Sequence, residues 1–312
     1  MSEERIRYAD REYTDEEILA ILEEPVREWF RRKFRTFTPP PPQRYAVVEI
    51  HKGENVLISS PTGSGKTLSA FLAAINELIL LGKAGKLEDK IYVLYVSPRL
   101  ALNNDIKRNL EGPLSEIKEV AKELGYELPE IRVGIRTSDT SSYQKSRMLK
   151  KPPHILITTP PESLAIALNA PKFRERLKTV RYLIIDEVHA LAENKRGGTH
   201  LSLSVERLAA LADKDFVRIG LSATIHPLEE VAKFVFGFDD DGKPRPGLIV
   251  DVSFAKETEI KVESVVEDLI YTDAGTLSNA LYKRLAEHIR GGTGRRSSLR
   301  TRGAAPRGSP II

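Results

Sequence analysis

The strongest constraint on the fold is an alternation of short apolar runs with helix-like segments that begins at Val56. The runs are rich in Val, Ile, Leu and Tyr, as strands that are buried on both faces are. They lie at 56–59, 91–96, 131–136, 155–158, 182–185 and 217–221. The helix-like segments lie near 66–81, 100–110, 113–124, 162–168, 201–212 and 227–235. This alternation predicts a three-layer α/β domain with a parallel sheet, in which ligands bind at the carboxyl ends of the strands.

A helical extension is predicted before this domain, over residues 1–45. Thr14 and Glu17 have the spacing of a capping box, and apolar residues on one helical face follow them. A second helix is expected to begin or kink at Pro25, because proline is favoured in a first helical turn. The proline run from Pro39 to Pro42 is interpreted as a stiff, non-helical connector.

The α/β domain itself is assigned to residues 46–250, and the pattern changes after it. Strand-like segments lie at 247–252 and 259–266, and a helix-like segment lies at 275–289. We interpret 251–290 as a linker toward a second domain that this chain lacks. Residues 291–312 are predicted to be disordered, because they consist mainly of Gly, Arg, Ser, Pro and Ala. Their bias is also what an out-of-frame reading or a truncation would give.

Composition excludes several classes of protein. The chain has no cysteine, which excludes thiol catalysis, disulfide frameworks and cysteine-ligated zinc. No apolar stretch is long enough for a membrane span, and the charged N-terminus lacks a signal core, so a cytoplasmic location is expected. The net charge is +4, but residues 291–312 hold five of the basic residues and no acidic one. Any prediction of nucleic-acid binding must therefore rest on local sites.

A glycine-rich segment has the context of a phosphate-binding loop, because it follows a predicted strand and opens a predicted helix. Its residues are Ser60, Pro61, Thr62, Gly63, Ser64, Gly65, Lys66 and Thr67. Backbone N–H groups would close around phosphate oxygens, Lys66 would reach the β- and γ-phosphates, and the Thr67 hydroxyl would bind Mg²⁺. The strict pattern has glycine at position 60, so a glycine-rich turn that caps a helix is the alternative interpretation.

An acidic pair, Asp186 and Glu187, follows the apolar run at 182–185. An acid at the end of such a strand completes the magnesium shell of a nucleotide-binding loop, so Asp186 is predicted to be the second metal ligand beside Thr67. Glu187 would then orient or deprotonate the attacking water. A helix cap is the alternative for an acidic pair at this position.

Three further loops follow predicted strands and carry polar groups suited to a nucleic-acid backbone. The first two supply the predicted nucleic-acid contacts Pro98, Arg99, Asn103, Thr159, Pro160, Glu162 and Ser163. The third consists of Ser222, Ala223 and Thr224. Each of these loops could instead be an ordinary helix N-cap or turn.

Taken together, the ordered motifs resemble the first RecA-like domain of superfamily 2 helicases. The set consists of PTGSGKT, the P-x-x-A-L loop at 98–102, the Thr-Pro-Glu-Ser-Leu-like loop at 159–164, DEVH at 186–189 and SAT at 222–224. The sequence around these motifs, such as DEVHALAENKRG, is similar to that of the large helicase-related (Lhr) proteins. The resemblance covers about residues 10–290.

The resemblance implies an ATP-dependent motor that uses ATP and Mg²⁺. Gln43 would read the adenine, with Phe37 stacked nearby, and His189 would lie against the nucleotide. His189 and the Ser222–Thr224 loop would couple the nucleotide to the nucleic-acid groove. Family members move 3′ to 5′ on single-stranded DNA and unwind DNA duplexes and RNA–DNA hybrids, which implies a role in DNA repair. An RNA-directed helicase built from the same motor is the alternative.

One feature departs from a complete enzyme of this family. The second RecA-like domain supplies arginines across the cleft, and no Q-x-x-G-R-x-x-R sequence occurs in the 312 residues. We therefore expect this chain to bind ATP but to hydrolyse it slowly and not to unwind. A folded ATP- or nucleic-acid-binding fragment without motor activity is the non-enzymatic alternative.

Overall fold

The computed structural model describes residues 5–33, 41–61, 63–98, 100–159, 162–193, 195–223, 225–252, 263–268 and 270–291. The chain forms two compact units, Met1–Glu257 and Thr258–Ile312. The first unit contains the sheet and the predicted site. In the second, the described part includes a single helix, and the Arg284 guanidinium there makes two hydrogen bonds to the Glu263 carboxylate, of 2.9 and 3.0 Å.

A parallel sheet forms the centre of the first unit. Its strands are β1 (Ile6–Tyr8), β2 (Val56–Ser59), β3 (Val93–Val96), β4 (Val133–Arg136), β5 (Ile155–Thr158), β6 (Tyr182–Ile185), β7 (Val217–Ser222) and β8 (Gly247–Asp251). Their order is β1-β8-β2-β7-β6-β3-β5-β4, and every neighbouring pair is parallel. All carboxyl ends therefore lie on one edge. β2, β3, β5 and β6 are buried at every position, as the apolar runs predict.

Helices cover both faces of the sheet. They are α1 (Asp15–Ala20), α2 (Glu24–Lys33), α3 (Pro41–Lys52), α4 (Lys66–Lys83), α5 (Leu100–Glu123), α6 (Ser142–Lys150), α7 (Glu162–Asn169), α8 (Pro171–Arg174), α9 (Val188–Ala192), α10 (Lys195–Leu211) and α11 (Leu228–Phe236). The helix of the second unit is α12 (Ala274–Gly291). Within the described residues, no helix is both long and apolar enough to span a bilayer.

Alternate residues of each strand supply the two cores. In β2, Val56 and Ile58 join the core formed with α1 to α5, whereas Leu57 joins the core formed with α7 to α11. This period of two places one hydrophobic layer on each face of the sheet. The predicted three-layer α/β architecture with a parallel sheet is therefore confirmed.

The N-terminal helices pack into the first of these cores. The capping box of α1 is confirmed, since Thr14 and Glu17 exchange hydrogen bonds of 2.9 and 3.3 Å. Ile18 and Val26 are fully buried. Asn76, on α4, fixes the turn between α1 and α2, because its side chain donates to the carbonyl of Ile21 and accepts from the backbone of the segment that follows.

Three sequence predictions about elements were wrong. Pro41 and Pro42 lie in the first turn of α3, where helical N–H groups need no intrahelical acceptor, so proline is tolerated there. The predicted helices 100–110 and 113–124 are one helix, α5, which continues through Pro113 and packs its apolar residues on the sheet. The predicted strand 259–266 is absent over its described part, residues 263–266.

One strand was missed altogether. β1 has three residues with no buried apolar pattern, and it pairs with β8 at the edge of the sheet. Outside the described residues lie Pro39, Pro40 and residues 292–312, so the structure does not bear on the predicted connector there or on the predicted disorder.

Candidate active site

The strand order brings the predicted site residues together. β2, β7, β6 and β3 are consecutive in the sheet, and the chain leaves them at Ser60, Ser222, Asp186 and Ser97. The Ser60 N–H donates to the Ser222 carbonyl over 3.1 Å, and the Asp186 N–H donates to the carbonyl of Val96 over 2.9 Å. Motifs that are more than 100 residues apart in the sequence therefore share one edge.

The loop between β2 and α4 has the backbone of an anion-binding turn. Gly63 and Gly65 have φ values of 82° and 88°, in the left-handed region that side chains disfavour. Ser60, at the position where the strict pattern has glycine, is tolerated because its hydroxyl lies 2.7 Å from the Ser64 hydroxyl and closes the loop. Thr62 lies outside the described residues.

Lys66 is held inside this loop. Its side chain is only 6% exposed, and Nζ donates to the Ser60 carbonyl over 3.1 Å. Burial lowers the pKa of Lys66, and the negative charges of Asp186 and Glu187 partly offset that effect. The ammonium therefore lies where an additional anion would stabilise its charged form.

Asp186 is also buried, and each of its carboxylate oxygens has a donor. Oδ1 accepts from the Glu187 N–H over 2.8 Å, and Oδ2 accepts from the Tyr95 hydroxyl. Burial raises the pKa of Asp186, while these two hydrogen bonds act in the opposite direction. The Tyr95 ring is stacked on Phe71 of α4 at a centroid distance of 5.3 Å.

Tyr95 was not predicted as a site residue. It lies inside the apolar run of β3, where an aromatic residue looks like ordinary core. The only signal in the sequence is its place two residues before the strand-end loop at Ser97.

Glu187 and His189 connect the acidic pair to the end of β7. Glu187 has φ 52°, and it is the only non-glycine among the described residues with a positive φ. Its Oε2 lies 3.0 Å from His189 Nε2, and His189 Nδ1 accepts from the Ala223 N–H over 3.2 Å. Because Nδ1 is an acceptor, the neutral ring carries its proton on Nε2 and donates it to Glu187. Ser222 Oγ lies 3.5 Å from the same Nδ1, and Thr224 is outside the described residues.

Gln43 fits the role of a base-reading residue. It lies on α3, which packs on α4 and β2. Its side chain is 3% exposed, yet Oε1 accepts no hydrogen bond from a described residue. A buried amide oxygen without a donor is rare in native proteins, and the exocyclic amine of adenine is a donor that would satisfy it. Phe37 lies outside the described residues.

The donor set also fits Mg²⁺. This ion takes oxygen ligands and is usually held by one or two carboxylates together with substrate phosphates. Asp186 supplies a carboxylate and Thr67, in the first turn of α4, supplies a hydroxyl. Within the described residues, no three acidic or histidine side chains form a group that could hold a metal without such phosphates.

The predicted nucleic-acid contacts are only partly described. The hydroxyls of Thr159 and Ser163 lie 3.0 Å apart, and both side chains are buried beside the end of β5. Pro98 is half-buried. Arg99 and Pro160 lie outside the described residues. Asn103 and Glu162 are placed by their backbone alone, within α5 and α7.

Comparison with known proteins identifies the class to which this fold and site belong. The DEAD/DEAH box helicase family profile matches residues 40–233, which include the loop at Lys66, the acidic pair and the Ser222 loop. This chain belongs to the DEAD/DEAH box helicase family.

Within that family the chain is similar to Lhr proteins. It is 83% identical over 284 residues to the ATP-dependent helicase Lhr-Core protein 2 of Thermococcus barophilus, covering 91% of this chain and 32% of the relative. It is 65% identical to the ATP-dependent helicase Lhr-Core of Methanocaldococcus jannaschii, again over 91% of this chain and 32% of the relative. The chain thus spans about a third of the length of these relatives. The resemblance to Lhr proteins is confirmed.

Solved structures agree with this assignment. The structure of Mycobacterium smegmatis helicase Lhr bound to single-stranded DNA and AMP-PNP matches with a TM-score of 0.72 and 40% identity, over 88% of this chain and 33% of that one. The DEAD-box protein Mss116p matches with a TM-score of 0.62 at 19% identity, over 78% of this chain and 46% of that one. The latter shows the RecA-like fold alone.

Proposed function

We propose that this chain is the ATP-binding motor domain of an Lhr-type helicase, which hydrolyses ATP with Mg²⁺ and moves 3′ to 5′ on single-stranded DNA. The observation that carries the proposal is that the charges of Asp186 and Glu187, after β6, act on the buried Lys66, after β2, at one edge of the sheet, while His189 is hydrogen-bonded to the residue after β7. The 3′ to 5′ direction, a cytoplasmic location and a role in DNA repair come from the resemblance to Lhr proteins.

Each side chain has a role that its surroundings support. The Lys66 ammonium holds the β- and γ-phosphates, whose charge would reverse the effect of burial on its pKa. Glu187 orients the attacking water and accepts its proton. Mg²⁺, held by Thr67 and Asp186, would neutralise phosphate charge when bound. His189 transmits the state of Glu187 to Ala223, which follows β7 toward the proposed nucleic-acid groove.

The proposal predicts turnover of ATP that depends on Glu187 and is stimulated by single-stranded DNA. Glu187→Gln is the matched blank, because an amide keeps an oxygen to accept the His189 proton but cannot act as a base. We expect at least a hundredfold lower turnover for this variant, since general-base catalysis contributes roughly 10²–10⁴-fold. The measurement is phosphate release with and without DNA, together with nucleotide binding.

Two controls make this test decisive. Glu187→Gln should still bind nucleotide, whereas Lys66→Ala should bind it weakly. Turnover by the native chain that equals turnover by Glu187→Gln, at full nucleotide occupancy, would contradict catalysis at this site.

A second candidate function is nucleotide and nucleic-acid binding without unwinding. The observation in its favour is that no Q-x-x-G-R-x-x-R sequence occurs in the 312 residues. An arginine that stabilises the transition state is worth roughly 10³–10⁵ in rate. Bound ATP with no DNA-stimulated turnover by the native chain would favour this candidate.

The nucleic acid itself can be DNA, RNA or an RNA–DNA hybrid, because the strand-end loops present groups for phosphates. Single-stranded DNA is favoured by the similarity to the Mycobacterium smegmatis helicase, whose structure holds that ligand. Competition between DNA and RNA strands of equal length and sequence decides between them. Tighter binding of RNA would reverse the assignment.

A further inference from the structure

Helix α6 and the residue after it form a basic segment that none of the helicase motifs includes. The chain has no acidic residue between Asp139 and Glu162. Four cations lie in this interval, at Lys145, Arg147, Lys150 and Lys151. α6 is well formed, since Ser141 and Gln144 make a capping box at its start.

These cations differ from most of the others on the same unit in having no acidic partner. None of the four forms an ion pair with any residue in the part of the chain that the structure describes. Other cations of the unit do form ion pairs, as Arg32 does with Glu123 and Arg245 with Glu206. An uncompensated basic surface attracts an anionic partner and repels a cationic one.

The basic segment presents an ordered face. Tyr143, Arg147 and Lys150 are spaced at i, i+4 and i+7, so they lie on one side of α6. Tyr143 is 72% exposed, so the face of its ring is accessible to a ligand. Beside this face runs a groove of about 740 Å³ between α6, α5 and the edge strand β4. Its lining includes the cations Arg147 and Lys151 and the acidic residues Glu130 and Asp139.

The groove connects this face to the edge of the sheet where the site lies. Thr137 and Thr140, at the carboxyl end of β4, also line the groove. β4 pairs with β5, and the end of β5 carries Thr159 in the loop assigned to nucleic acid. A strand that passes over the end of β5 and continues outward would next reach the end of β4 and then α6.

We propose that the exposed face of α6, with Lys151, binds the backbone of single-stranded nucleic acid beyond the strand-end loops. This inference rests on the proposed function and extends its binding site. Phosphates would contact Arg147, Lys150 and Lys151, and an unstacked base would lie on the ring of Tyr143. The exposed ring favours a single strand over an acidic peptide, because stacking needs the open π-face of a base.

Length and salt dependence test this inference directly. The helix is about 14 Å long, which corresponds to ~4 nucleotides at about 3.4 Å each. We therefore compare the native chain with Arg147→Gln/Lys150→Gln on oligothymidylates of about 6 to 14 nucleotides. The strand length at which affinity reaches its plateau should be ~4 nucleotides greater for the native chain. On the longest strand we expect this double variant to bind about tenfold more weakly. Its plot of log affinity against log salt should be shallower by ~1.4, or ~0.7 for each lost contact.

Lys172→Gln/Arg174→Gln is the matched control, because it removes one lysine and one arginine from α8, which leads to the amino end of β6. It should bind every length as the native chain does. The α6 variant should bind the shortest strand normally.

Equal length profiles for the native chain and the α6 variant would overturn this inference and leave the proposed function intact. Displacement of the long strand by poly-glutamate at equal charge would also overturn it, in favour of an acidic peptide. A native chain that binds no strand of any length would overturn the proposed function together with this inference.

Discussion

At the residue scale, the proposed site contains a buried carboxylate whose hydrogen bonds oppose the effect of burial on its pKa. Asp186 is buried, and burial alone would favour its neutral form. The hydroxyl of Tyr95 and the N–H of Glu187 donate to one oxygen each, which favours the ionised form and fixes the orientation of the carboxylate. Tyr95 is in turn held by its stacking on Phe71, in the helix that begins at Lys66.

Tyr95→Phe is therefore predicted to weaken the metal-dependent part of nucleotide binding. A hydrogen bond to a charged group contributes about 1.5–3 kcal/mol, so the affinity for nucleotide with Mg²⁺ should fall ~10–100-fold. Affinity measured with a chelator should change little, because Lys66 and the loop remain. Tyr92→Phe is the control, since it removes a hydroxyl that lies near the amino end of the same strand and accepts from the Glu88 N–H. Equal behaviour of the two variants would contradict a positioning role for Tyr95.

Sequence reasoning identified Lys66, Asp186 and Glu187 because each lies at a strand end, where a parallel sheet gathers its ligands. The comparisons identify the family of the chain, while the roles of these three residues remain predictions. Tyr95 could not be found in the same way. Its function depends on β3 lying beside β6, and strand order does not follow from the pattern of apolar runs.

At the element scale, the edge strand β4 depends on a buried histidine. His154 lies just before β5, and its Nδ1 accepts from the N–H of Arg132, just before β4. Burial and the nearby Arg132 charge lower the pKa of His154 to about 4, with Asp89 acting in the opposite direction. Protonation would break this hydrogen bond and place a charge in the core.

The register of β4 on β5 should therefore weaken in acid. Because the folded pKa of His154 is below its unfolded value of about 6.5, its contribution is complete above pH 6.5 and is lost as pH falls toward 4. The full effect is up to about 3 kcal/mol of unfolding free energy. His154→Asn keeps an acceptor without a titrating ring. In urea unfolding at pH 7.5 and pH 5, the native chain should lose more stability than this variant, and equal losses would refute the argument.

Two of the features that the sequence did not predict, β1 and the start of α3, share a physical cause. β1 is short and exposed, so it has no apolar pattern, and it exists because β8 offers a free edge. Pro41 and Pro42 belong to a proline run, which we interpreted as non-helical. The first turn of a helix is nevertheless where proline destabilises it least. In both places tertiary context outweighs local propensity.

At the scale of the whole molecule, the described site lies along one edge of a single parallel sheet. Glu187 and Lys66 are the proposed acid–base and phosphate-binding groups, and the proposed ATP site includes no arginine among the described residues. The chain covers 32% of its Thermococcus barophilus relative, and we propose that the remaining length of that protein supplies such an arginine.

Joining residues 1–290 of this chain to the remainder of that relative should raise DNA-stimulated turnover. We expect an increase of roughly 10³–10⁵, the effect of an arginine supplied across a phosphoryl-transfer site. The measurement is kcat for ATP, with the same fusion carrying Glu187→Gln as the control. Unchanged kcat for the fusion would show that ATP turnover by this chain does not depend on groups from the rest of the relative.

The left-handed backbone at Glu187 sets function against stability at a single position. A non-glycine residue in that conformation costs about 1–2 kcal/mol, which glycine would recover. Selection for thermal tolerance alone would thus favour loss of the carboxylate, and only selection for turnover retains it. In laboratory evolution of this chain for heat resistance, without an activity screen, we expect Glu187 to be replaced while the fold is retained.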